Sequence, residues 1–194
     1  MSAVSGPVGI LALQGDFGAH AKLLEGSGIR SCEVRTVEDL EGISGLLLPG
    51  GETTTIAMGL EREGLSGPIR ELSDAGTPVF GTCAGLVLMG RDHLGLIDME
   101  VERNAFGRQI HSFEADMVFP EIEGPPLRAL FIRAPKVLSV GPDVEILAEI
   151  DGAIVAVRQR NRTAISFHPE LIGDPRIHLS ALLRQTATSG DQPA

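Results

Sequence analysis

Val79-Phe80-Gly81-Thr82-Cys83-Ala84-Gly85-Leu86-Val87-Leu88-Met89-Gly90 packs a glycine-flanked cysteine between two apolar runs. After Pro78, Val79-Phe80 reads as a buried strand, and Leu86 onward opens an apolar helical pattern. Between them stands Gly81-Thr82-Cys83-Ala84-Gly85, a strand-to-helix turn so tight that the neighbours of its central residue must be small. That is the G-x-S-x-G nucleophile elbow with sulfur in place of oxygen. Such a turn presents Cys83 at the carboxyl end of a strand. There the free N–H groups and partial positive charge of a helix N-terminus favour a thiolate and later stabilise an oxyanion. A buried packing cysteine explains the sulfur taken alone equally well, so the rest of the chain has to decide.

Upstream, residues 8–13 read as a buried strand, followed by the loop Gln14-Gly15-Asp16-Phe17. Asp16 is placed to cap a helix over 19–25, which Gly26 and Gly28 stop. A second strand is expected over 32–35 and a third over 46–48. The sharp loop Pro49-Gly50-Gly51-Glu52 then leads through Thr53-Thr54-Thr55 into a helix from Ile56, and a further helix covers 69–75. With right-handed crossovers this alternation gives an α/β fold, an open doubly wound and mostly parallel sheet. Beyond Gly95 the pattern changes to short β-rich runs over 99–103, 113–118, 129–132 and 144–150. Two more follow, 153–158 after Asp151-Gly152 and 163–167 after Asn161-Arg162, so antiparallel β additions are expected in the second half. An amphipathic helix from 174 to about 188, with Ile177, Ala181 and Leu182 on its apolar face, closes the chain.

At 194 residues the chain fits one domain spanning 1–194, with 1–6 and 189–194 as flexible tails. Aromatic residues make up 4%, so the core has to be built from Val, Ile, Leu and Ala, as suits parallel strands covered on both faces. A net charge of −10 without clustered Lys and Arg argues against a nucleic-acid partner. Two cysteines without a C-x-x-C make neither a disulfide framework nor a zinc site, and a reducing cytoplasm fits them best. The first residues lack a basic segment followed by an apolar one, and no apolar run reaches membrane-spanning length. The expectation is a soluble cytoplasmic protein with no membrane partner.

A thiolate needs a base, and of His20, His93, His111, His168 and His178 only His168 has an obvious orienter. In Ser166-Phe167-His168-Pro169-Glu170 the histidine ends an apolar strand, and residues two apart in an extended chain point the same way. Glu170 can then fix the ring's tautomer while the other nitrogen faces the sulfur, which makes Cys83, His168 and Glu170 a candidate triad. His20 and His178 read as solvated helix surface. His93 and His111 are open to lining a cleft, with nothing local to argue for it. Cys32, between Ser31 and Glu33 with no glycine turn, reads as packing. No metal is expected, since no H-E-x-x-H or Cys/His spacing supplies further ligands to His168 and Glu170. The Gly50-Gly51 pair lets backbone N–H groups approach a reacting carbonyl. The loop, at Gly51, then supplies one oxyanion donor beside the Ala84 N–H, although a plain turn explains the glycines as well. Glu52, at the carboxyl end of a sheet, lies where ligands bind in open α/β folds and is placed to hold a substrate ammonium group.

Together these segments resemble the class I, triad-type glutamine amidotransferases. Leu13-Gln14-Gly15-Asp16, Pro49-Gly50-Gly51-Glu52-Thr53-Thr54-Thr55, Gly81-Thr82-Cys83-Ala84-Gly85, Asn104-Ala105-Phe106-Gly107-Arg108-Gln109, Phe131-Ile132-Arg133-Ala134-Pro135 and Phe167-His168-Pro169-Glu170 resemble, within that class, the glutaminase subunits of pyridoxal 5′-phosphate synthases. The resemblance implies hydrolysis of L-glutamine to L-glutamate and ammonia without a cofactor. It also implies a hetero-oligomeric complex with a (β/α)8-barrel synthase that uses the ammonia to make pyridoxal 5′-phosphate. By position, Cys83 is then the nucleophile, His168 the general base and acid, and Glu170 its orienter. Gly51, Glu52, Thr53, Arg108, Ile132 and Arg133 would bind glutamine. Thr53 stands where this family usually carries serine, which keeps the hydroxyl and adds a methyl. Two other readings stay open from the residues: a different cysteine-dependent amidase or γ-glutamyl hydrolase, and a non-catalytic interaction module with Cys83 as a redox-sensing thiol.

Overall fold

The computed structural model describes residues 6–103 and 112–183. Five strands form its parallel core: β1 (Val8–Leu11), β2 (Ser31–Val34), β3 (Gly45–Leu48), β4 (Val79–Thr82) and β11 (Arg162–Ile165), in the order β2-β1-β3-β4-β11. All four pairings in that set are parallel. The sheet continues antiparallel from β11 through β10 (Ala153–Gln159) and β8 (Lys136–Val140) to β5 (Met99–Glu102), with β9 (Glu145–Ile150) also on β10. A separate ribbon joins β6 (Ser112–Met117) to β7 (Leu127–Ile132).

Burial explains why the core strands read as unbroken apolar runs. Leu46 and Leu48 of β3 enter one apolar cluster and Leu47 the other, and Val79 and Phe80 of β4 divide the same way. Both faces are therefore covered. On one face lie α2 (Thr53–Arg62), α3 (Ser66–Asp74) and α4 (Ala84–Met89), which contribute Ile56, Leu60, Ile69, Leu86 and Leu88. The other face receives Leu24 of α1 (Phe17–Gly26), then Ile177, Ala181 and Leu182 of α6 (Arg176–Leu182), and the apolar side of the β6–β7 ribbon. The short α5 (Pro169–Ile172) begins on proline, whose fixed φ suits a first helical position. Fully burying a side chain such as Phe80 or Leu47 contributes about 1.5–3 kcal/mol, which is why these two-sided strands anchor the loops at their ends.

The doubly wound sheet with antiparallel additions is the expected one, with local corrections. The sixth β-run of the second half, expected among the antiparallel additions, runs over Arg162–Ile165 and pairs parallel to β4 through Ile165↔Thr82 while pairing antiparallel to β10. It thereby brings His168 beside the elbow. β8 went unforeseen, because Lys136-Val137-Leu138-Ser139-Val140 follows Pro135 without a turn signal ahead of it. α2 starts at Thr53, three residues before the expected Ile56, because Glu52 already accepts the Ile56 N–H. Asp16 precedes α1 but makes no side-chain capping bond. α6 is described only to Leu182, and the expected continuation toward 188 lies outside the described residues, as do positions 1–5 and 189–194 of the expected tails. No described helix is long and apolar enough to cross a membrane.

Candidate active site

Four loops meet at the carboxyl ends of β1, β3, β4 and β11, where ligands bind in open α/β sheets. The elbow after β4 is as tight as its glycines require: a Cβ on Gly85 would come within 2.0 Å of the Leu48 carbonyl oxygen. Cys83 itself holds φ 49° and ψ −103°, a strained backbone for a residue with a side chain. It is kept there by its N–H bond to the Ile165 oxygen at 2.9 Å and by the start of α4 at Ala84. Its thiol is partly exposed and not in a disulfide.

The loop after β11 delivers His168. His168 Nδ1 and Glu170 Oε1 are 2.7 Å apart, both residues nearly buried, and the His168 ring is also hydrogen-bonded to Cys83. Burial opposes a charge on His168, but the bonds to Cys83 and Glu170 outweigh it and raise its pKa to about 10. The ring therefore carries its proton at neutral pH and presents an N–H to the sulfur, the arrangement expected of a cysteine activated by an ion-paired histidine. Asp16 brings a carboxylate oxygen within 4.8 Å of ligand atoms of His168 and Glu170. The two latter residues already spend Nδ1 and Oε1 on each other, so the trio reads as part of a proton-handling site rather than as a metal centre.

The loop after β3 closes the third side. Gly50 has no room for a side chain, because a Cβ there would stand 2.6 Å from His168 Cε1. Its carbonyl accepts the Asp16 N–H at 3.1 Å, and Gln14 Oε1 accepts the Glu52 N–H at 2.7 Å. In a trans peptide the Gly51 N–H points away from the Gly50 carbonyl, so the β1 loop sets the orientation of that amide. Gly51, Glu52, Thr53, Cys83, Ala84, Ile132, Arg133 and His168 all line one cleft of about 250 Å³. That is a little smaller than the ~300–1,000 Å³ clefts of drug-sized ligands and suits a small metabolite. Arg133, at φ 44°, lies 3.6 Å from Glu52 at the mouth, with both side chains largely exposed. A carboxylate and a guanidinium thus stand side by side at the mouth of the cleft.

Of the site residues expected from sequence, only Arg108 is left out, since it lies outside the described residues with the rest of its Asn-Ala-Phe-Gly-Arg-Gln segment and with His111. His93 is exposed and does not line the cleft. Cys32 packs half-buried against the core, and burial together with Asp39 pushes its thiol pKa up, away from nucleophilic duty. The expected surface positions of His20 and His178 are wrong: both are fully buried, 2.8 Å apart between Nδ1 and Nε2. Their signal was helical spacing, since His20 precedes Leu24 by one turn and His178 sits beside Ile177, Ala181 and Leu182. Gln14 was also missed, although its place at the end of β1 marks it as a cleft residue.

The model of the SNO glutamine amidotransferase family matches residues 10–186. The chain belongs to that family. Among SNO relatives, the "Pyridoxal 5'-phosphate synthase subunit PdxT" of Pelotomaculum thermopropionicum is 51% identical over 178 residues, covering 88% of this chain and 91% of that one. The protein of the same name from Frankia alni is 50% identical over 185 residues, 90% and 93% of the two chains. A crystal structure described as a glutamine amidotransferase superposes with TM-score 0.87 at 42% identity, over 92% of this chain and 98% of that one. PurLQS from Thermotoga maritima shares the fold at TM-score 0.71 and 16% identity. The chain's fold is therefore that of the glutamine amidotransferases, as its resemblance to that class implied.

Proposed function

We propose that the chain is one glutaminase domain, the subunit of a pyridoxal 5′-phosphate synthase that hydrolyses L-glutamine to L-glutamate and ammonia. The observation that carries this reading is the strained Cys83 bonded to a His168 that Glu170 holds at 2.7 Å. In this reading the Glu52 carboxylate takes the substrate ammonium group and Arg133 its carboxylate, with Arg108, Thr53 and Ile132 completing the contacts to glutamine. The side-chain amide then lies over Cys83. Sulfur attacks the amide carbon, and the resulting oxyanion is held by the Gly51 and Ala84 N–H groups. His168 gives its proton to the departing ammonia. It next takes a proton from water, which attacks the γ-glutamyl thioester and frees glutamate and the thiolate. No step calls for a metal or a cofactor.

Ammonia made in open solvent would be lost, so a glutaminase subunit is useful only beside its acceptor. The proposed partner is a (β/α)8-barrel synthase in a hetero-oligomeric complex, in a reducing cytoplasm that keeps Cys83 free. The SNO relatives named as synthase subunits support this pairing. The test is steady-state glutamate release by the purified subunit with and without saturating barrel synthase. Turnover is expected to be weak alone and raised about a hundred- to thousandfold by the partner, the worth of one well-aimed oxyanion donor. Identical turnover in both samples would remove the partner switch, and none in either would remove the glutaminase reading.

A further inference from the structure

Behind the triad lies a buried polar chain that the reaction as written does not use. His20 of α1 and His178 of α6 are fully buried, with His20 Nδ1 2.8 Å from His178 Nε2. The other nitrogen of His20 stands between the two segments that carry the reacting groups. Its Nε2 is 3.2 Å from Oγ1 of Thr82, the residue immediately before Cys83, and 3.6 Å from Oε2 of Glu170. That Oε2 is buried without a conventional hydrogen bond, while Oε1 is taken by His168.

Which nitrogens carry protons follows from the groups at the two ends. Burial, then His178 and His168, hold the His20 pKa well below the ordinary histidine range, and burial pushes His178 down to about 4. Both rings are neutral at physiological pH, so each carries one N–H. If His20 donated from Nδ1, its bare Nε2 would face a carboxylate oxygen, and His178 would be left with an N–H at Nδ1, an atom with no partner. A buried unpaired N–H is rarer than a buried acceptor left short of donors. The opposite arrangement has His178 Nε2–H donating to His20 Nδ1 and His20 Nε2–H donating to Thr82 Oγ1, with Glu170 Oε2 at 3.6 Å, longer than a hydrogen bond but near enough to meet the positive end of the N–H dipole. It leaves only acceptors short of donors, the His178 Nδ1 lone pair and Glu170 Oε2.

We infer that His20 is a positioning residue for the triad, set in its tautomer by His178, and that its single N–H, held at the elbow by Thr82, stabilises the nearby Glu170 carboxylate electrostatically. The inference rests on the proposed role of Cys83, His168 and Glu170. Glu170 is faced by His168 on its own segment, by Asp16 and His20 from the β1 loop and α1, and at one remove by Cys83 on the elbow and by His178 and Asp174 at α6. Among these, His20 brings an N–H within 3.6 Å of Oε2, an oxygen that accepts no hydrogen bond. Losing that N–H weakens the carboxylate's hold on His168, and so the pairing that favours the Cys83 thiolate.

The test uses the full chain with its Cys32→Ala background, so that labelling reports Cys83 alone. The rate of Cys83 alkylation by iodoacetamide is followed against pH, and glutamate release is measured with the synthase present. His20→Leu fills the space without a donor, and His20→Gln restores an N–H where Nε2 stood. For His20→Leu the alkylation midpoint should move up by about one pH unit and kcat should fall about tenfold with KM little changed, the effect of losing one N–H dipole beside a buried carboxylate. His20→Gln should recover most of both. His178→Leu, one link further back, should shift the midpoint in the same direction by less. An unshifted profile in a folded His20→Leu protein, or a Gln variant as impaired as Leu, overturns the inference. Should His20→Leu not fold, an unshifted profile in His178→Leu overturns it instead. Alkylation needs no glutamine, so a parent protein that released no glutamate would sink the proposed function while this profile still decided the role of His20.

Discussion

Among the described residues four that are not glycine hold a positive φ, and they fall in two regions. Asp151 and Arg160 occupy the turns of the β9–β10 and β10–β11 hairpins, at φ 49° and 57°. Cys83 and Arg133, at φ 49° and 44°, line the cleft. In the hairpins the conformation serves chain reversal, and glycine would do the same work. At the cleft the bent backbone aims a thiol and a guanidinium, and at Cys83 the buried β4 before it and α4 after it hold it bent. The same local cost is relieved cheaply in one region and is inseparable from chemistry in the other.

The largest loss of activity is expected at the elbow. Cys83→Ala should lower glutamate release by at least about 10³-fold, since a lost nucleophile removes the covalent route altogether. His168→Ala should come next, and Glu170→Gln should lose less, because the orienter tunes the ring while the ring moves the proton. Cys32→Ala should match the parent. Thermal midpoints near the parent's for Cys83→Ala, measured alongside turnover, would separate lost chemistry from lost fold. Substantial turnover in Cys83→Ala, or loss of it in Cys32→Ala, would assign the nucleophile to the wrong sulfur.

Titration sharpens the contrast, because the cleft region holds histidines shifted in opposite directions. His168 is raised to about 10, so the stability it contributes is fully present below pH 6.5 and is lost as pH climbs from 6.5 toward 10. His178, lowered to about 4, acts on the other side. Below 6.5 the unfolded chain takes a proton that the folded state refuses, so stability falls from 6.5 to about 4, and His20 adds to that loss. The thermal midpoint of the parent should therefore peak near pH 6.5 and decline by several degrees toward either limit. His168→Gln should flatten the alkaline side alone and His178→Gln the acid side alone. A variant that changed both sides equally would show that the shifts do not belong to separate groups.

What the sequence disclosed follows the same division. The elbow and the Gly50-Gly51 loop were legible because each is written in contiguous residues with a steric requirement. His168 and Glu170, by contrast, meet for a reason other than the strand alternation expected of them: β11 ends at Ile165 and Glu170 lies in the first turn of α5. The parallel placement of β11, which brings His168 to Cys83, was not legible, since Thr163-Ala164-Ile165 looks the same whether its neighbour runs parallel or antiparallel. His20 and His178 were misplaced for a related reason. Each polar residue in an amphipathic helix defaults to the solvent side, and only the pairing of two such residues across α1 and α6, 158 positions apart, makes their burial tolerable. Gln14 holds the Glu52 amide across the gap between two loops, a contact that no local pattern contains.

The smallest effect is expected at the hairpins, and it tests whether strain there is idle. Arg160 sits at the first position of the tight turn Arg160-Asn161, where a positive φ favours glycine and then asparagine. Its side chain is exposed and distant in sequence from every cleft residue but those after β11. Arg160→Gly removes the clash between Cβ and backbone but loosens the unfolded chain, so the two effects oppose. Arg160→Asn keeps a side chain that tolerates the left-handed region and avoids the second effect. The expected gain is about 0.5–1 kcal/mol for Asn and less for Gly, which for a chain of this size is a rise of about 2–4 °C per kcal/mol in the thermal midpoint. Glutamate release should be unchanged in both. A fall in turnover with no loss of stability would mean that the β10–β11 turn reaches the cleft through β11 and His168, and the separation between idle and working strain would have to be redrawn.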